Sequence, residues 1–330
     1  MATRQGPERN LALELVRVTE AAALAAARWQ GRGDKEAGDQ AAVDAMRYML
    51  STVEMDGVVV IGEGEKDEAP MLYNGERIGT GEPPQVDIAV DPVEGTALLA
   101  EGRPGAIAVI ALAPRGTMYD PGPCVYMEKL VVGPQAAGTI DLDAPIGDNL
   151  AAIAKARGKE VRDVTAVMLD RERHEDLKRQ IREAGARLQL IQHGDVAAGL
   201  RAAWEERPDV DLLVGIGGTP EGIITACAVQ CIGGQMLGRM WPRSDEERAA
   251  AEEQSYDVDR VLDTHELVGS DDVFFVCTGI TGGGLVDGIS FDGRGAVSES
   301  VVMRSKSGTI RVVRARHQLQ KLREFASIEY

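Results

Sequence analysis

One stretch limits what this chain can fold into more than any other. Val86-Asp-Ile-Ala-Val-Asp-Pro-Val-Glu-Gly-Thr96 is an apolar run that closes on two acids, a turn signal and a hydroxyl. Val86, Ile88, Ala89 and Val90 read as a short buried strand, and Pro92 and Gly95 are expected to end it, so Asp91 and Glu94 fall at its carboxyl end. Two carboxylates delivered to one place by a buried strand repel unless a cation lies between them, and hard oxygen ligands suit magnesium, manganese or calcium. Asp, Pro and Gly are also ordinary turn residues, so one such turn admits a purely structural reading. A second stretch repeats the pattern: Val58-Val-Val-Ile-Gly-Glu-Gly-Glu-Lys-Asp-Glu68 runs from an apolar strand into Glu63, Glu65, Asp67 and Glu68.

The 330 residues leave room for two domains, and 44% hydrophobic with 27% charged residues is the composition of a globular protein. The formal charge of -17 argues against nucleic acid, whose phosphates are held by clustered Lys and Arg. No stretch reaches the length of apolar residues a membrane span needs, and the N-terminus lacks the apolar core of a signal peptide. Cys124, Cys227, Cys231 and Cys277 form no CxxC pair and no zinc spacing with His; Cys227 and Cys231 read as packed residues of one helix. These features point to a reducing compartment, the cytoplasm.

Along the chain, residues 8 to 30 carry the apolar spacing of a long helix that Gly31 and Gly33 end. Asp39 is expected to cap a second helix running through Ala42, Val43, Met46 and Leu50. Ala106 to Ala113 and Tyr126 to Val132 read as further strands of the same sheet. Beyond Asn149, strand and helix alternate as in parallel βαβ units: strands at 164–169, 188–191 and 210–216, helices at 175–184, 196–204 and 221–230. Ligands of such sheets collect beyond the carboxyl ends of the strands, which carry Arg171 and Arg173, then His193 and Asp195, then Gly218 and Glu221. Ser244 to Ser255 reads as a solvated helix. Strands follow at 273–278, 301–304 and 309–313, and His317 with the tail after it reads as exposed. The glycine-rich turn Gly215-Ile-Gly-Gly-Thr-Pro-Glu-Gly222 does not fit G-x-G-x-x-G and sets an acid where a dinucleotide pyrophosphate would sit. Glu221 there is also a plain helix-start acid.

Asp91-Pro-Val-Glu-Gly-Thr96 with Gly62-Glu-Gly-Glu65 resembles the metal-binding signature of the magnesium-dependent, lithium-sensitive sugar phosphatases. Gly31-Arg-Gly-Asp-Lys35, Asp67-Glu-Ala-Pro-Met-Leu-Tyr73, Tyr126-Met-Glu-Lys-Leu130 and the 215–222 turn resemble the bacterial class II fructose-1,6-bisphosphatase family, from about Leu11 to about Arg314. The resemblance implies an α/β protein whose N-terminal half is α+β, a two-domain sugar phosphatase fold with layered helices and sheets. The N-terminal metal-binding domain would span 1–160 and the sugar-phosphate domain 161–330. It implies two or more divalent ions, Mg²⁺ or Mn²⁺, with Asp39 and Glu63 on one and Asp91, Glu94 and Glu221 on another. Thr96, Lys35 and Asp67 would be catalytic. Glu94, Gly95, Thr96, Tyr126, Arg171, Glu172, Arg173, His193, Gly194, Asp195 and Gly218 would bind the substrate. The substrate would be a sugar bisphosphate of gluconeogenesis, and the assembly a homodimer or homotetramer.

The chemistry that fits is hydrolysis by metal-activated water, with cations neutralising phosphate oxygens and the leaving alkoxide. The Thr96 hydroxyl can orient that water, and the amides of Gly95 and Thr96 can bind phosphate. No Cys or Ser with a neighbouring His is evident, so no phosphoenzyme is expected. Asp170-Arg-Glu-Arg-His174 keeps two arginines for a second phosphate. His193 stands where many relatives are expected to carry Asp, which bears on the sugar contact. Three other readings stay open: a phosphatase for sedoheptulose bisphosphate or inositol phosphate on the same metal core, a noncatalytic calcium-binding protein, though the EF-hand loop pattern is missing, and a nucleotide-binding module.

Overall fold

The computed structural model describes residues 10–62, 72–206, 209–325, 328 and 330. The chain begins with α1 (Ala12–Ala27), α2 (Lys35–Ser51), β1 (Asp56–Ile61), β2 (Arg77–Ile78), β3 (Gln85–Glu94), α3 (Thr96–Ala100), β4 (Ile107–Pro114) and β5 (Tyr126–Val132). It continues through α4 (Ile146–Ala156), β6 (Thr165–Leu169), α5 (Glu175–Glu183), β7 (Arg187–Ile191), α6 (Asp195–Ala203), β8 (Leu212–Gly218), α7 (Thr219–Ile232) and β9 (Gln235–Met240). It ends with α8 (Asp245–Glu253), β10 (Leu262–Asp263), α9 (Thr264–Leu267), β11 (Phe274–Gly279), β12 (Ser290–Asp292), β13 (Gly295–Arg304), β14 (Thr309–His317) and α10 (Leu319–Phe325). The mixed α/β class expected from the sequence is the one observed.

Among the described residues the strands make two mixed sheets. The first runs β12-β13-β11-β4-β3-β1-β2, with β14 also on β13; the second runs β10-β9-β5-β8-β6-β7. The alternating apolar faces of each strand set the layers. Ile88 and Val90 of β3 pack with Leu15, Leu24, Met46 and Leu50 of α1 and α2. Ala89, between them, faces the other way, into a core shared with Val196 of α6, Ile223 and Cys227 of α7, and Met127 and Val131 of β5. Leu130 and Val132 of β5 turn outward to a third core with Leu150 of α4 and Ile181 of α5. The order is therefore helices, first sheet, α6 and α7, second sheet, α4 and α5. The four cysteines are buried and unbridged, Cys227 and Cys231 within α7 as expected.

Three local expectations change. β5 does not join β4 in the first sheet; it pairs antiparallel with β8 and β9 in the second. β11 and β13 return from the far half of the chain to pair beside β4, so the halves of the chain exchange strands between the two sheets. β3 does not stop at Pro92. It runs to Glu94, with Asp91 opposite Val109 but Glu94 opposite Ile107, so the register slips around a proline that has no N–H for the ladder. And α2 begins at Lys35 rather than Asp39, because the Asp34 carboxylate accepts the Ala37 amide at 3.0 Å and is the cap. The βαβ reading holds: β6 pairs parallel with β7 and with β8.

Candidate active site

A cavity of about 410 Å³ opens where β3 of the first sheet meets the carboxyl ends of β6 and β8 of the second. It is lined by Asp91, Glu94, Gly95, Thr96, Tyr126, Arg171, Arg173, His193, Gly194, Asp195, Gly218 and Glu221, all expected from the sequence, and by Val125, Gly217 and Pro220 among others that were not. The register of β3 slips between Asp91 and Glu94, and both residues line the cavity. Two helices start at its wall in the same way: Gly95 before α3 and Gly194 before α6 hold φ of 93° and 92°, a left-handed turn that glycine adopts without strain. α7 starts there too, with Pro220 in its first turn.

The acidic wall is poor in solvent. Glu94 is 3% exposed, and its Oε2 has no hydrogen-bond partner. Burial pushes its carboxyl well above the ordinary range, Asp195 and Glu221 add to the push, and a backbone hydrogen bond from Val196 with the charge of Lys129 opposes it. Glu221 is raised as well, first by burial and then by Asp195. The Asp91 carboxylate accepts the Val93 amide at 3.0 Å. Beneath them Lys129, itself buried, donates to Asp195 Oδ2 at 2.7 Å.

The opposite wall is basic. Arg171 donates to the carbonyls of Gln192 at 2.6 Å and Asp170 at 2.9 Å. Arg173 donates to the Ile216 carbonyl at 2.7 Å and lies 5.0 Å from the Tyr126 ring centre. His193 is exposed, and burial of its ring together with Arg171 and Lys35 lowers its pKa, which favours the neutral imidazole. Tyr126 also meets Trp241 edge to face at 6.2 Å.

Lys35, Asp39 and Glu172 do not line the cavity. Lys35 is exposed at the start of α2 but close enough to influence His193. Glu172 is exposed between the two arginines. Asp39 sits inside α2, which packs on α3 and β3; its Oδ1 is buried with no partner, and burial raises its pKa. A buried carboxylate oxygen without a donor is costly, and Asp39 and Glu94 each carry one that could bind a cation. Glu63 and Asp67, with Glu65 and Glu68, lie outside the described residues. Among the described residues no three His, Cys, Asp or Glu side chains close into a cation cage on their own.

Two participants escaped sequence reasoning. Lys129 has no role in the sequence reading, although a lysine at an inward position of an apolar strand is a detectable signal. His174 carried none: its Nδ1 faces the Leu169 carbonyl at 2.8 Å and its Nε2 accepts the Ile216 amide at 2.8 Å, so the ring is neutral, burial lowers its pKa, and it ties β6 to β8 behind Arg173. One serine–histidine pair does exist, against expectation: Ser298 Oγ is 2.7 Å from His317 Nε2 and 3.1 Å from Glu20 Oε1. Ser298 is buried on β13 and does not line the cavity; His317 is tucked in rather than exposed.

Similarity to known proteins agrees with this geometry. The family model for bacterial fructose-1,6-bisphosphatase, glpX-encoded, matches residues 9–317. The chain is 44% identical over 326 residues to fructose-1,6-bisphosphatase 1 class 2 of Escherichia coli (strain K12), covering 95% of this chain and 96% of that protein. It is equally similar, over the same spans, to fructose-1,6-bisphosphatase class 2 of Shigella flexneri. A match along nearly the whole length, with the two strand-end acids and the paired arginines meeting in one cavity, shows that the chain belongs to the bacterial, glpX-type class II fructose-1,6-bisphosphatase family.

Proposed function

We infer that the chain hydrolyses fructose 1,6-bisphosphate, releasing the 1-phosphate and leaving fructose 6-phosphate. The observation that carries this reading is a single cavity with unlike walls: Glu94, whose buried Oε2 has no hydrogen-bond partner, stands with Asp91 and Glu221 across from Arg171 and Arg173. The orphaned, buried oxygens of Glu94 and Asp39 are what support a divalent-cation site among these acids. Asp91, Glu94 and Glu221 would hold one ion and Asp39 with Glu63 a second. Mg²⁺ or Mn²⁺, when bound, supplies charge for the phosphate oxygens and acidifies a water. The chain's own groups do the rest. The Thr96 hydroxyl orients the attacking water, the amides of Gly95 and Thr96 hold the scissile phosphate, Arg171 and Arg173 grip the distal phosphate, and Asp195 accepts a sugar hydroxyl.

The test is phosphate release across sugar phosphates with Mg²⁺, with Mn²⁺ and after EDTA. Fructose 1,6-bisphosphate should give the highest kcat/KM, and chelation should abolish turnover. Full activity after chelation, or a preference for an inositol monophosphate, would overturn the reading; sedoheptulose 1,7-bisphosphate is the arm that the exposed His193 makes worth including. Lithium inhibition in the same assay tests the wider kinship with lithium-sensitive phosphatases. Association into a homodimer or homotetramer is a further proposal, supported by the nine-residue β14 at the margin of the first sheet and testable by light scattering. No helix of the described residues is long and apolar enough to cross a membrane. The unbridged cysteines support the proposal of a cytoplasmic location.

A further inference from the structure

We propose that Lys129 is the resident counter-ion of the acidic wall: its ammonium holds Asp195 in place for the sugar and keeps that carboxylate out of the cation ligand set. The proposal rests on the phosphatase reading and deepens it. In β5 the alternation of faces puts Lys129 on the inner side with Met127 and Val131, both core residues, and its side chain is 2% exposed. An ammonium withdrawn from water costs several kcal/mol unless it is paired and hydrogen-bonded, so a lysine here needs a reason that a methionine would not.

The reason is visible in what surrounds it. Its Nζ donates to Asp195 Oδ2 at 2.7 Å, and Asp195, first residue of α6, reaches the cavity. The space the pair occupies is kept clear by glycines. A Cβ at Gly217 would lie 2.2 Å from Asp195 Oδ2 and 3.1 Å from Lys129 Nζ, and one at Gly222 would lie 3.2 Å from Lys129 Cε. Both cross-strand neighbours of Lys129 are also glycines, Gly215 and Gly238. The ammonium charge is felt at Glu94 and at Glu221, where it opposes the upward push of burial. A fixed positive charge among these acids thus does two things: it orients one carboxylate by a short charge-assisted bond, and it lowers the pull of the whole group on added cations.

The second effect has a sign that a structural lesion would not produce. Mn²⁺ binding to the full-length protein, measured by calorimetry without any sugar phosphate, should be tighter in Lys129→Met than in wild type by about tenfold or more. It should be near wild type in Lys129→Arg. In Asp195→Asn it should be weaker, with the same number of ions bound, and the double variant Lys129→Met/Asp195→Asn should return towards wild type. In parallel, Lys129→Met should raise KM for fructose 1,6-bisphosphate more than it lowers kcat. Unchanged or weaker Mn²⁺ binding in a folded Lys129→Met protein overturns the proposal. If that variant does not fold, Asp195→Asn decides alone: loss of a bound ion, or binding as tight as wild type, overturns it. Failure of the functional reading is separately visible, as wild-type protein that binds Mn²⁺ but releases no phosphate from fructose 1,6-bisphosphate.

Discussion

The two walls of the cavity solve opposite problems. On the acidic wall Glu94, Glu221 and Asp195 are crowded against one buried lysine, and the carboxyls of Glu94 and Glu221 are pushed up chiefly by burial and then by the neighbouring carboxylates, a push that Lys129 only partly opposes. On the basic wall Arg171 and Arg173 spend their hydrogen bonds on backbone carbonyls, which carry no net charge, so the guanidinium charges remain available to a ligand. Elsewhere the chain treats arginine differently: Arg239, for instance, is neutralised by Glu128 and Asp143. A protein of net charge -17 can therefore bind a doubly phosphorylated sugar because the local field, not the total, decides. On the proposed reading the first wall would be completed by added cations, whereas the second is complete in the fold.

If that contrast is right, the largest effect comes from uncharging the acidic wall. Asp91→Asn should lower kcat at least about 1,000-fold, ~4 kcal/mol in transition-state stabilisation, while far-UV circular dichroism stays that of the wild type. Normal turnover would reduce Asp91 to a turn residue. Next in size is Thr96, which belongs to neither wall. Thr96→Ala and Thr96→Asn should lose about 100-fold in kcat, while Thr96→Ser retains measurable activity because it keeps the hydroxyl. Asn is a good helix cap, so an Asn variant with near-normal kcat would make Thr96 structural and shift the search to Asp67 or Glu65.

On the basic wall, Arg171→Ala with Arg173→Ala should raise KM for fructose 1,6-bisphosphate about 100-fold, ~2.7 kcal/mol, yet hardly alter hydrolysis of a small phosphate monoester. Equal losses on both substrates would erase the division of labour. The smallest effect sharpens the comparison through pH. Glu94, Glu221 and Asp39 have carboxyls raised above their ordinary values, so the stability they contribute is full at low pH and is lost as pH rises through the raised values. Mn²⁺ held by these carboxylates would relieve that loss. The gain in Tm on adding Mn²⁺ to EDTA-treated protein should be larger at pH 8 than at pH 5.5, by a few degrees. A gain independent of pH would mean that these carboxyls are not the ligands.

Much of this was legible in the residues. Strand-end acids announce themselves because an apolar run, a proline and a glycine fix where the acids fall; Asp91 and Glu94 reach the cavity as that pattern implied, and Glu221 joins them there as the family resemblance implied. The βαβ rhythm of the second sheet likewise follows from local periodicity, and so placed Arg171, Arg173, His193 and Asp195 at strand ends on one side. The α/β class and the family motif need nothing beyond the order of residues.

Other features depend on partners distant in sequence, and only tertiary structure decides those. β5 looks like any apolar strand, and its membership of the second sheet is set by β8 and β9, more than 80 residues away. Asp39 had the right residue type for a cap, but Asp34 reached the Ala37 amide first, and the packing of α2 on α3 and β3 then left an oxygen of Asp39 buried and unpaired. Lys129 shows the same rule most sharply. Local sequence puts it on an inward face, where a charge has no business; the carboxylate that justifies it arrives on α6, from 66 residues further along the chain. Periodicity records which way a side chain faces, and burial energies depend on what it meets there, which is settled only when both sheets close on the helices between them.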